Sequence, residues 1–313
     1  MRAISQEVLG GPEVLSVVER PLPALGPSDV LVRVHAAGVN PTDWLHRNTG
    51  LYLGRPPFVV GWDVSGVVEA IGVGVTILEP GDEVFGMLDY PRGAGGYAEY
   101  AAAPARNFVR KPEGLDHVHA AALPVVALTA WQALVDTARI QPGQRVLIHA
   151  AAGGVGHVAV QIAKARGAYV IGTASAGKHE FVRGLGADEV IDYTTTDFAE
   201  TVRDVDVVFD AVGGDYGLRS LRTMRPGGTL VAIVFSNREQ VVAQAKEYGV
   251  RVKHLTVEAD QAGMAAVAEL VEQGRLRVHV DAVLPLEQAG EAQRRGETGR
   301  TTGKLVLSVR SDV

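Results

Sequence analysis

The architecture of this chain follows from one stretch, Val146-Leu-Ile-His-Ala-Ala-Ala-Gly-Gly-Val-Gly-His-Val-Ala-Val-Gln161. It begins with the apolar run Val146–Ile148, which is typical of a buried parallel strand. A turn of small residues follows, and Val158, Ile162 and Ala165 then recur at helical spacing. This order predicts the opening of a dinucleotide-binding βαβ unit, in which small residues let the backbone approach a pyrophosphate at the helix N-terminus.

The glycine turn matches the dinucleotide-binding pattern imperfectly. Ala151 stands where the first glycine is usual, and Gly153 and Gly156 are the second and third. A tight β–α turn without a ligand is the alternative, since glycine-rich turns are common. The surrounding chain favours the nucleotide site, because it alternates strand and helix patterns as a doubly wound parallel sheet does. The predicted strands are Tyr169–Thr173, Val190–Ile191, Val205–Asp210 and Thr229–Val234, and the predicted helices are Gly177–Leu185, Phe198–Val202 and Leu218–Met224.

The end of the second predicted strand indicates which nucleotide would bind. An NAD site usually has an acidic residue about 20 positions after the glycines, whereas this chain has Gly172-Thr-Ala-Ser-Ala-Gly-Lys178 and no acid. Ser175 can donate to a 2′-phosphate and Lys178 can neutralise it. A solvated lysine is the alternative for Lys178 alone. Together these residues predict NADP(H). The predicted pyrophosphate contacts are Ala152, Gly153, Gly154, Val155 and Gly156.

Composition excludes several classes of function. The chain has 313 residues, which suits two domains, with 47% hydrophobic and 21% charged residues. Its net charge of −6 argues against a nucleic-acid partner, and no apolar run approaches a membrane span. The N-terminus lacks a signal-peptide pattern, so we expect a cytoplasmic protein. The absence of cysteine excludes disulfides, a thiolate nucleophile and a cysteine-based zinc site, and we expect no catalytic metal.

Residues 1 to about 120 differ in rhythm from the middle of the chain. Short strand patterns separated by Pro- and Gly-rich turns predict an antiparallel, barrel-like β domain. These strands are Leu15–Val18, Val30–Val34, Val64–Ala70 and Glu83–Phe85, followed by a predicted helix at Ala120–Ala138. Later elements are a strand at Val250–Val257, a helix at Gly263–Glu272, and a strand, helix and strand at Val280–Leu284, Leu286–Arg294 and Lys304–Val309. We expect the last three to complete the first domain.

Ordered sequence blocks along the whole chain carry a family resemblance. They are Gly10-Gly-Pro-Glu-Val-Leu15, Ala37-Gly-Val-Asn-Pro-Thr-Asp43, Gly61-Trp-Asp-Val-Ser-Gly-Val-Val68, Gly96-Tyr-Ala-Glu-Tyr100, Ala121-Ala-Leu-Pro124, the glycine turn and Gly303-Lys-Leu-Val-Leu307. On these blocks the chain resembles the medium-chain dehydrogenase/reductase superfamily, and within it the zinc-independent quinone oxidoreductase (ζ-crystallin-like) branch. The resemblance implies an α/β fold. It also implies a GroES-like β-rich catalytic domain over 1–120 and 260–313, a Rossmann domain with a doubly wound parallel sheet over 121–259, and a nicotinamide cleft between them.

The resemblance also bears on the metal. Zinc-dependent relatives keep a cysteine ligand where this chain has Asn40 and a histidine ligand where it has Trp62. An amide and an indole do not hold zinc. Without a Lewis acid, an electrophilic acceptor such as a quinone or an α,β-unsaturated carbonyl fits better than an alcohol, which must lose a proton as its hydride leaves. We therefore expect an NADPH-dependent quinone or enone reductase. The alternatives are an enoyl-thioester reductase and an NADPH-binding sensor or structural protein with little turnover.

The segment that resembles the family's active-site loop contains Asn40 and Asp43. Asn40 can donate to a developing oxyanion, and we expect Asp43 to orient its neighbours. The alternatives are a turn initiator and a helix N-cap. The family often has a tyrosine where this chain has Leu45. Tyr52 and Trp62 are expected to line the substrate slot, with core packing as the alternative.

The other predicted site residues belong to the cofactor. By resemblance, Thr129 lies near the nicotinamide and Tyr193 near the adenosine, with a self-bonded helical hydroxyl and a surface tyrosine as alternatives. Residues after the ends of parallel strands are expected to touch the cofactor as well. The remaining predicted cofactor contacts are Thr173, Val212, Val234, Phe235, Ser236 and Lys304. His149 is interpreted as a core histidine. Relatives are often dimers, so we expect a homodimer, with Val250–Val257 as a permissible pairing edge.

Overall fold

The computed structural model describes residues 1–91 and 93–310. The chain folds into two compact units. One contains residues 1–128, 258–274 and the chain from 278 onward, and the other contains 129–257 and 275–277. The predicted domain limits after residues 120 and 259 lie close to these boundaries. Residues 311–313 of the predicted domain segment 260–313 lie outside the described residues.

The first unit is rich in antiparallel β-structure. Its strands are β1 (Arg2–Gln6), β2 (Ser16–Glu19), β3 (Asp29–Val39), β4 (Phe58–Val59), β5 (Asp63–Ile71), β6 (Glu83–Met87), β7 (Tyr100–Pro104), β8 (Phe108–Arg110), β15 (Val280–Pro285) and β16 (Lys304–Ser308). One sheet has the order β2-β1-β4, and the other has the order β15-β16-β3-β5-β6-β8, with β7 also paired to β3. The helices of this unit are α1 (Pro41–Thr49), α2 (His117–Ala121), α9 (Gln261–Glu272) and α10 (Ala289–Glu297), with 3₁₀ turns at Pro12–Val14, Ala105–Asn107 and Leu286–Gln288.

The long strand β3 brings distant parts of the chain together. It pairs on one side with β5, where Gly38 faces Asp63, and on the other with β16, where Val39 faces Leu305. Asn40 follows directly after β3. The end of this strand therefore places Asn40 beside the first residues of β5 and β16.

The second unit is built on a parallel sheet. Its strands are β9 (Arg145–Ile148), β10 (Tyr169–Ala174), β11 (Glu189–Asp192), β12 (Val205–Asp210), β13 (Met224–Ala232) and β14 (Arg251–His254), in the order β11-β10-β9-β12-β13-β14. Its helices are α4 (Gly154–Ala165), α5 (His179–Gly184), α6 (Phe198–Thr201), α7 (Tyr216–Leu221) and α8 (Arg238–Ala245), with a 3₁₀ turn at Ala176–Lys178. Every residue of β12 is buried, as expected for a strand covered on both faces. The strand order reverses between β9 and β12, which is the Rossmann arrangement, and the predicted fold class is confirmed.

Two of the differences between predicted and observed elements concern candidate site residues or their neighbours. The helix predicted over Ala120–Ala138 is wrong as one element: α2 ends at Ala121, α3 (Pro124–Trp131) follows, and Gln132–Thr137 is π-helical. Pro124 begins α3 because it fits the first turn of a helix and would interrupt a longer one. The strand predicted over Thr229–Val234 ends at Ala232, so Val234 lies in the following loop. In the described part of the chain no helix is both long and apolar enough to cross a membrane.

Candidate active site

Three buried polar side chains meet at the end of β3, and we call them the Asn40 cluster. Asn40 Nδ2 donates to Asp63 Oδ2 over 2.8 Å, and Lys304 Nζ donates to Asn40 Oδ1 over 2.5 Å. Lys304 Nζ also lies 3.2 Å from Asp63 Oδ2 and donates to Val39 O over 2.9 Å. These side chains are at most 2% exposed. The cluster is a desolvated ion pair, and both of its charged groups also hydrogen-bond the same amide.

Backbone geometry lets the Asn40 cluster close. A Cβ on Gly38 would come within 2.7 Å of Asp63 Oδ2 and 2.4 Å of Ala121 O, so only glycine leaves room there. Gly303 has φ of 66°, and a Cβ there would meet His279 O at 2.3 Å. These glycines allow Lys304 and Asp63 to reach the end of β3.

Asp43 joins the same region through α1. Its Oδ2 accepts from the Asn40 backbone N–H and from the Tyr97 hydroxyl, each over 2.7 Å, while its Oδ1 has no hydrogen bond among the described residues. Burial raises the pKa of Asp43 to about 7, against the opposing effect of these two hydrogen bonds. Burial and the neighbouring Asp43 raise the pKa of Tyr97 well above its usual value. Asp43 thus orients Asn40, and it also contributes to the N-terminus of α1.

An aromatic cluster lies next along α1, and it consists of His46, Tyr52, Trp62 and Tyr90. The His46 ring centroid is 5.7 Å from Tyr52, 4.8 Å from Trp62 and 6.2 Å from Tyr90. Trp62 is fully buried and Tyr52 is 50% exposed. The predicted substrate residues Tyr52 and Trp62 therefore contact the same imidazole, and one of them faces solvent.

His46 and Tyr90 are site candidates that the sequence did not reveal. His46 Nδ1 lies 2.7 Å from the Thr42 carbonyl, so this nitrogen carries the proton of the neutral ring. Burial lowers the pKa of His46. The only available signal was the position of His46 four residues after Thr42, on one face of α1. Tyr90 lies far from that segment in the sequence, and no local pattern connects the two.

Thr129 is buried in α3 and is the first residue of the second unit. Its predicted role near the nicotinamide stays a prediction.

The glycine loop, residues 150–156, leads into α4 of the second unit and includes the first three residues of that helix. Gly153 is the N-cap of α4 without a side-chain cap, and the first turn contains no acidic residue. A Cβ on Gly156 would lie 2.1 Å from Ala150 O, so this position requires glycine for close packing of helix and loop. The first-turn N–H groups of a helix have no intrahelical partner, and here the backbone of Gly154, Val155 and Gly156 supplies them. This arrangement suits an anion such as a pyrophosphate.

The predicted adenosine-side residues lie at one edge of the sheet. Ala174 of β10 faces Asp192 of β11, so Ser175 and Tyr193 follow at neighbouring strand ends. Ser175 occupies the N-cap position of the 3₁₀ turn that contains Lys178, without a side-chain capping bond, and Tyr193 is 47% exposed. Thr173, in contrast, is buried, and its hydroxyl contacts His149 Nδ1 at 3.2 Å and accepts from the Ala150 N–H.

The loops after β12 and β13 carry the other predicted cofactor residues. Val212, Val234 and Phe235 are between 37% and 44% exposed. The Gly214 N–H donates to Ser236 Oγ over 2.7 Å, which ties the two loops together. Exposed apolar side chains on tied loops at the carboxyl ends of parallel strands form a surface suited to a flat ligand.

His149, at the end of β9, is fully buried as expected of a core residue. Its ring nitrogens lie near the hydroxyls of Ser220 and Thr173. Burial, with a smaller contribution from Arg219, lowers the pKa of His149 to about 3, so the ring is neutral. Among the described residues no group of three or more His, Asp or Glu side chains could hold a metal ion.

Comparisons with known proteins agree with this arrangement. A family model for the alcohol dehydrogenase GroES-like domain matches residues 26–113, and one for a zinc-binding dehydrogenase matches residues 185–307. A 2-haloacrylate reductase from Burkholderia sp is 36% identical, over 95% of this chain and 96% of that protein. Other relatives are longer: the chain spans 66% of the synaptic vesicle membrane protein VAT-1 homolog of Danio rerio and 8% of a pikromycin polyketide synthase component of Streptomyces venezuelae.

Solved structures of quinone oxidoreductases are also similar to this chain over nearly its whole length. The quinone oxidoreductase from Coxiella burnetii is 36% identical with a TM-score of 0.94, over 99% of each chain. The Escherichia coli quinone oxidoreductase complexed with NADPH is 29% identical with a TM-score of 0.89, over 99% of this chain and all of that one. Both the fold and the order of its elements are therefore shared with these enzymes.

Proposed function

The chain belongs to the quinone oxidoreductase branch of the medium-chain dehydrogenase/reductase superfamily and is an NAD(P)H-dependent oxidoreductase, and from this premise we propose that it reduces a quinone or an α,β-unsaturated carbonyl with NADPH and without a metal. The observation that carries the proposal is the Asn40 amide. One Nδ2–H bonds Asp63, and the other has no hydrogen bond in the described part of the chain. That second N–H is the proposed donor to the acceptor oxygen.

The residues around Asn40 do not fit zinc. Zinc sites use thiolate, imidazole or carboxylate ligands, and the chain contains no cysteine. Asp63 is the carboxylate that contacts the Asn40 side chain, and its Oδ2 already contacts the Lys304 ammonium at 3.2 Å. A divalent cation there would be placed against a buried positive charge. We therefore assign no step to a metal.

The glycine loop fits the phosphates of NADP(H). Small residues and an uncapped helix N-terminus support a pyrophosphate on Gly153–Gly156, and Ser175 with Lys178 supports the 2′-phosphate. Tyr193 is the proposed contact of the adenosine, and the tied loops with Val212, Val234, Phe235 and Ser236 are the proposed contacts of the nicotinamide half. When bound, NADPH supplies the hydride.

The side chains of the first unit perform the remaining chemistry. As the acceptor gains the hydride, negative charge grows on its oxygen, and the Asn40 N–H stabilises that charge by a hydrogen bond in a dry environment. Asp43 fixes the Asn40 backbone. The rings of Tyr52 and Trp62 offer flat surfaces to a planar acceptor. The acceptor gains one hydrogen and two electrons as the hydride and takes one proton from bulk water, and it leaves as a hydroquinone or a saturated carbonyl.

One measurement with several acceptors tests this function. NADPH oxidation is followed with 1,4-benzoquinone, 9,10-phenanthrenequinone, 2-cyclohexenone and crotonyl-CoA. We expect turnover with the quinones or the enone. Turnover with the thioester alone would contradict the proposal and favour an enoyl-thioester reductase; a similar solved structure, 29% identical, is that of the CurK enoyl reductase. Tight NADPH binding without any turnover would favour a sensor or structural protein.

A further inference from the structure

We infer that Lys304 is a positioning residue for reduction: its ammonium fixes the Asn40 amide in one orientation and polarises it, so that the second Nδ2–H of Asn40, the one not bonded to Asp63, becomes a stronger donor to the acceptor oxygen. This inference rests on the proposed role of Asn40. It gives Lys304 a different task from the predicted contact with the cofactor. Asp63 serves as the counter-charge that holds the ammonium.

The orientation follows from donors and acceptors alone. An ammonium can only donate, and an ionised carboxylate can only accept. Lys304 Nζ faces Asn40 Oδ1 at 2.5 Å, and Asp63 Oδ2 faces Asn40 Nδ2 at 2.8 Å. Turning the amide over would set its NH₂ against the ammonium and its oxygen against the carboxylate. The cluster therefore selects one of the two amide orientations.

Burial makes the polarisation effective. Lys304 is 2% exposed and Asp63 is fully buried, so water does not screen their charges from the amide. A cation on the amide oxygen draws electron density from nitrogen, and hydrogen bonds in such a chain strengthen one another. The remaining Nδ2–H of Asn40 thus carries more positive charge than the same group in water.

The contacts of the ammonium agree with this task. Its neighbours are Val39 O at 2.9 Å, Asn40 Oδ1 and Asp63 Oδ2, which match its three N–H donors. The other oxygen of Asp63 accepts from the Val125 N–H over 2.6 Å, in the first turn of α3. Both charged groups are therefore fixed by backbone groups as well as by each other. A phosphate would have to displace one of these bonds to engage Lys304.

A double-mutant cycle tests the inference. We measure kcat and KM with 9,10-phenanthrenequinone, and the Kd for NADPH, in wild type, Lys304→Met, Asn40→Ala and the double variant. We expect Lys304→Met to lower kcat about ten- to hundredfold, to leave the NADPH Kd unchanged, and to have little further effect when Asn40 is already alanine. An equal loss in both backgrounds, or a raised NADPH Kd in both, would overturn the inference.

Two further variants separate positioning from folding. Lys304→Arg keeps the charge and should recover part of the lost kcat. Lys111→Met removes another buried lysine of the first unit, which pairs with Glu83 at 3.2 Å. This variant controls for the general effect on folding of removing a lysine from an ion pair, and we expect its kcat to stay near wild type. If Lys304→Arg were no more active than Lys304→Met, polarisation by the charge would be contradicted.

A spectroscopic measurement remains informative even if no acceptor is turned over. In protein labelled with ¹⁵N-asparagine, the side-chain NH₂ resonances of Asn40 are identified by their absence in Asn40→Ala. We expect Lys304→Met to shift them strongly upfield and Lys111→Met to leave them in place. Unchanged Asn40 resonances in Lys304→Met would refute the inference. Failure of the proposed function would instead appear as missing turnover with these shifts intact.

Discussion

The Asn40 cluster and the glycine loop differ in the groups that form them: side chains in the first and backbone in the second. The cluster is made of side chains separated by as many as 264 residues, all buried and bonded to one another. The loop is made of backbone from consecutive residues, and its requirement is for missing side chains, as at Gly156. The Asn40 cluster presents the fixed dipole of the Asn40 amide, and the glycine loop presents a run of backbone N–H groups.

This difference determines what each region tolerates. In the cluster, removing one partner leaves a buried charge or amide without its bond, which is costly. In the loop, adding a single methyl group creates a collision with backbone, while many side chains elsewhere can change. Substitutions in the two regions should therefore affect different measured quantities.

The largest expected effect is on catalysis, at Asn40. Asn40→Ala should lower kcat about 10² to 10³-fold, because it removes the proposed donor to the developing oxyanion. The NADPH Kd should stay near wild type. Steady-state kinetics with 9,10-phenanthrenequinone, together with titration of NADPH, measures both. A variant with wild-type kcat would show that the cluster is structural only.

The second expected effect is on the pH dependence of stability, and it comes from Asp43, one of the two buried carboxylates near Asn40. The folded protein holds the proton of Asp43 with a pKa of about 7, raised from 3.8 by burial. The unfolded chain therefore releases this proton at lower pH than the folded protein, so stability falls as pH rises between about 4 and 7. The loss is bounded by about 4 kcal/mol.

Asp43→Asn should abolish this part of the pH dependence, because an amide oxygen can still accept from Asn40 N–H and Tyr97 but does not titrate. Urea unfolding at pH 5 and pH 8 measures it. The difference in unfolding free energy, variant minus wild type, should be more positive at pH 8 than at pH 5. A stability difference that does not change with pH would contradict the raised pKa of Asp43.

The third effect belongs to the glycine loop. In Gly156→Ala the new Cβ would lie 2.1 Å from Ala150 O, so loop or helix must move, at a cost of about 1 to 3 kcal/mol in unfolding free energy. NADPH affinity should fall with it. Gly184→Ala is the matched control, since a Cβ there meets nothing within 4 Å. Equal NADPH affinity in both variants would remove the loop from the cofactor site.

The smallest effect concerns cofactor choice at Lys178. Lys178→Ala should weaken NADPH binding about tenfold by removing a charge-assisted contact with the 2′-phosphate, and should leave NADH nearly unaffected. Fluorescence titration with each nucleotide measures the two affinities. Lys246→Ala, an exposed lysine of the same unit, is the control. Equal losses for both nucleotides would contradict the assignment of Lys178.

The contrast between the regions also explains what the sequence could predict. The glycine loop and the strands around it were predictable, because a strand, a turn and a helix are encoded by consecutive residues. The predicted strand Val205–Asp210 coincides with β12. By contrast, α1 was not predicted as a helix, although Asn40, Pro41 and Gly50 occupy its cap, first and terminal positions.

The Asn40 cluster could be predicted only in part. Asn40 itself came from a resemblance, but its partners depend on strand register. Asp63 is 23 residues away and Lys304 comes from the other end of the chain. Lys304 was predicted as a cofactor contact, whereas the pairing of β16 with β3 sets its contacts. Side-chain networks across a sheet are not encoded by local spacing.

Metal-free reduction at Asn40 is tested most directly by measuring zinc content and activity on the same sample. The protein is dialysed against a chelator, its zinc is quantified by mass spectrometry, and NADPH oxidation by 9,10-phenanthrenequinone is recorded. We expect an unchanged rate at a zinc content far below stoichiometric. A rate that disappears with the metal and returns when zinc is added would contradict the proposal.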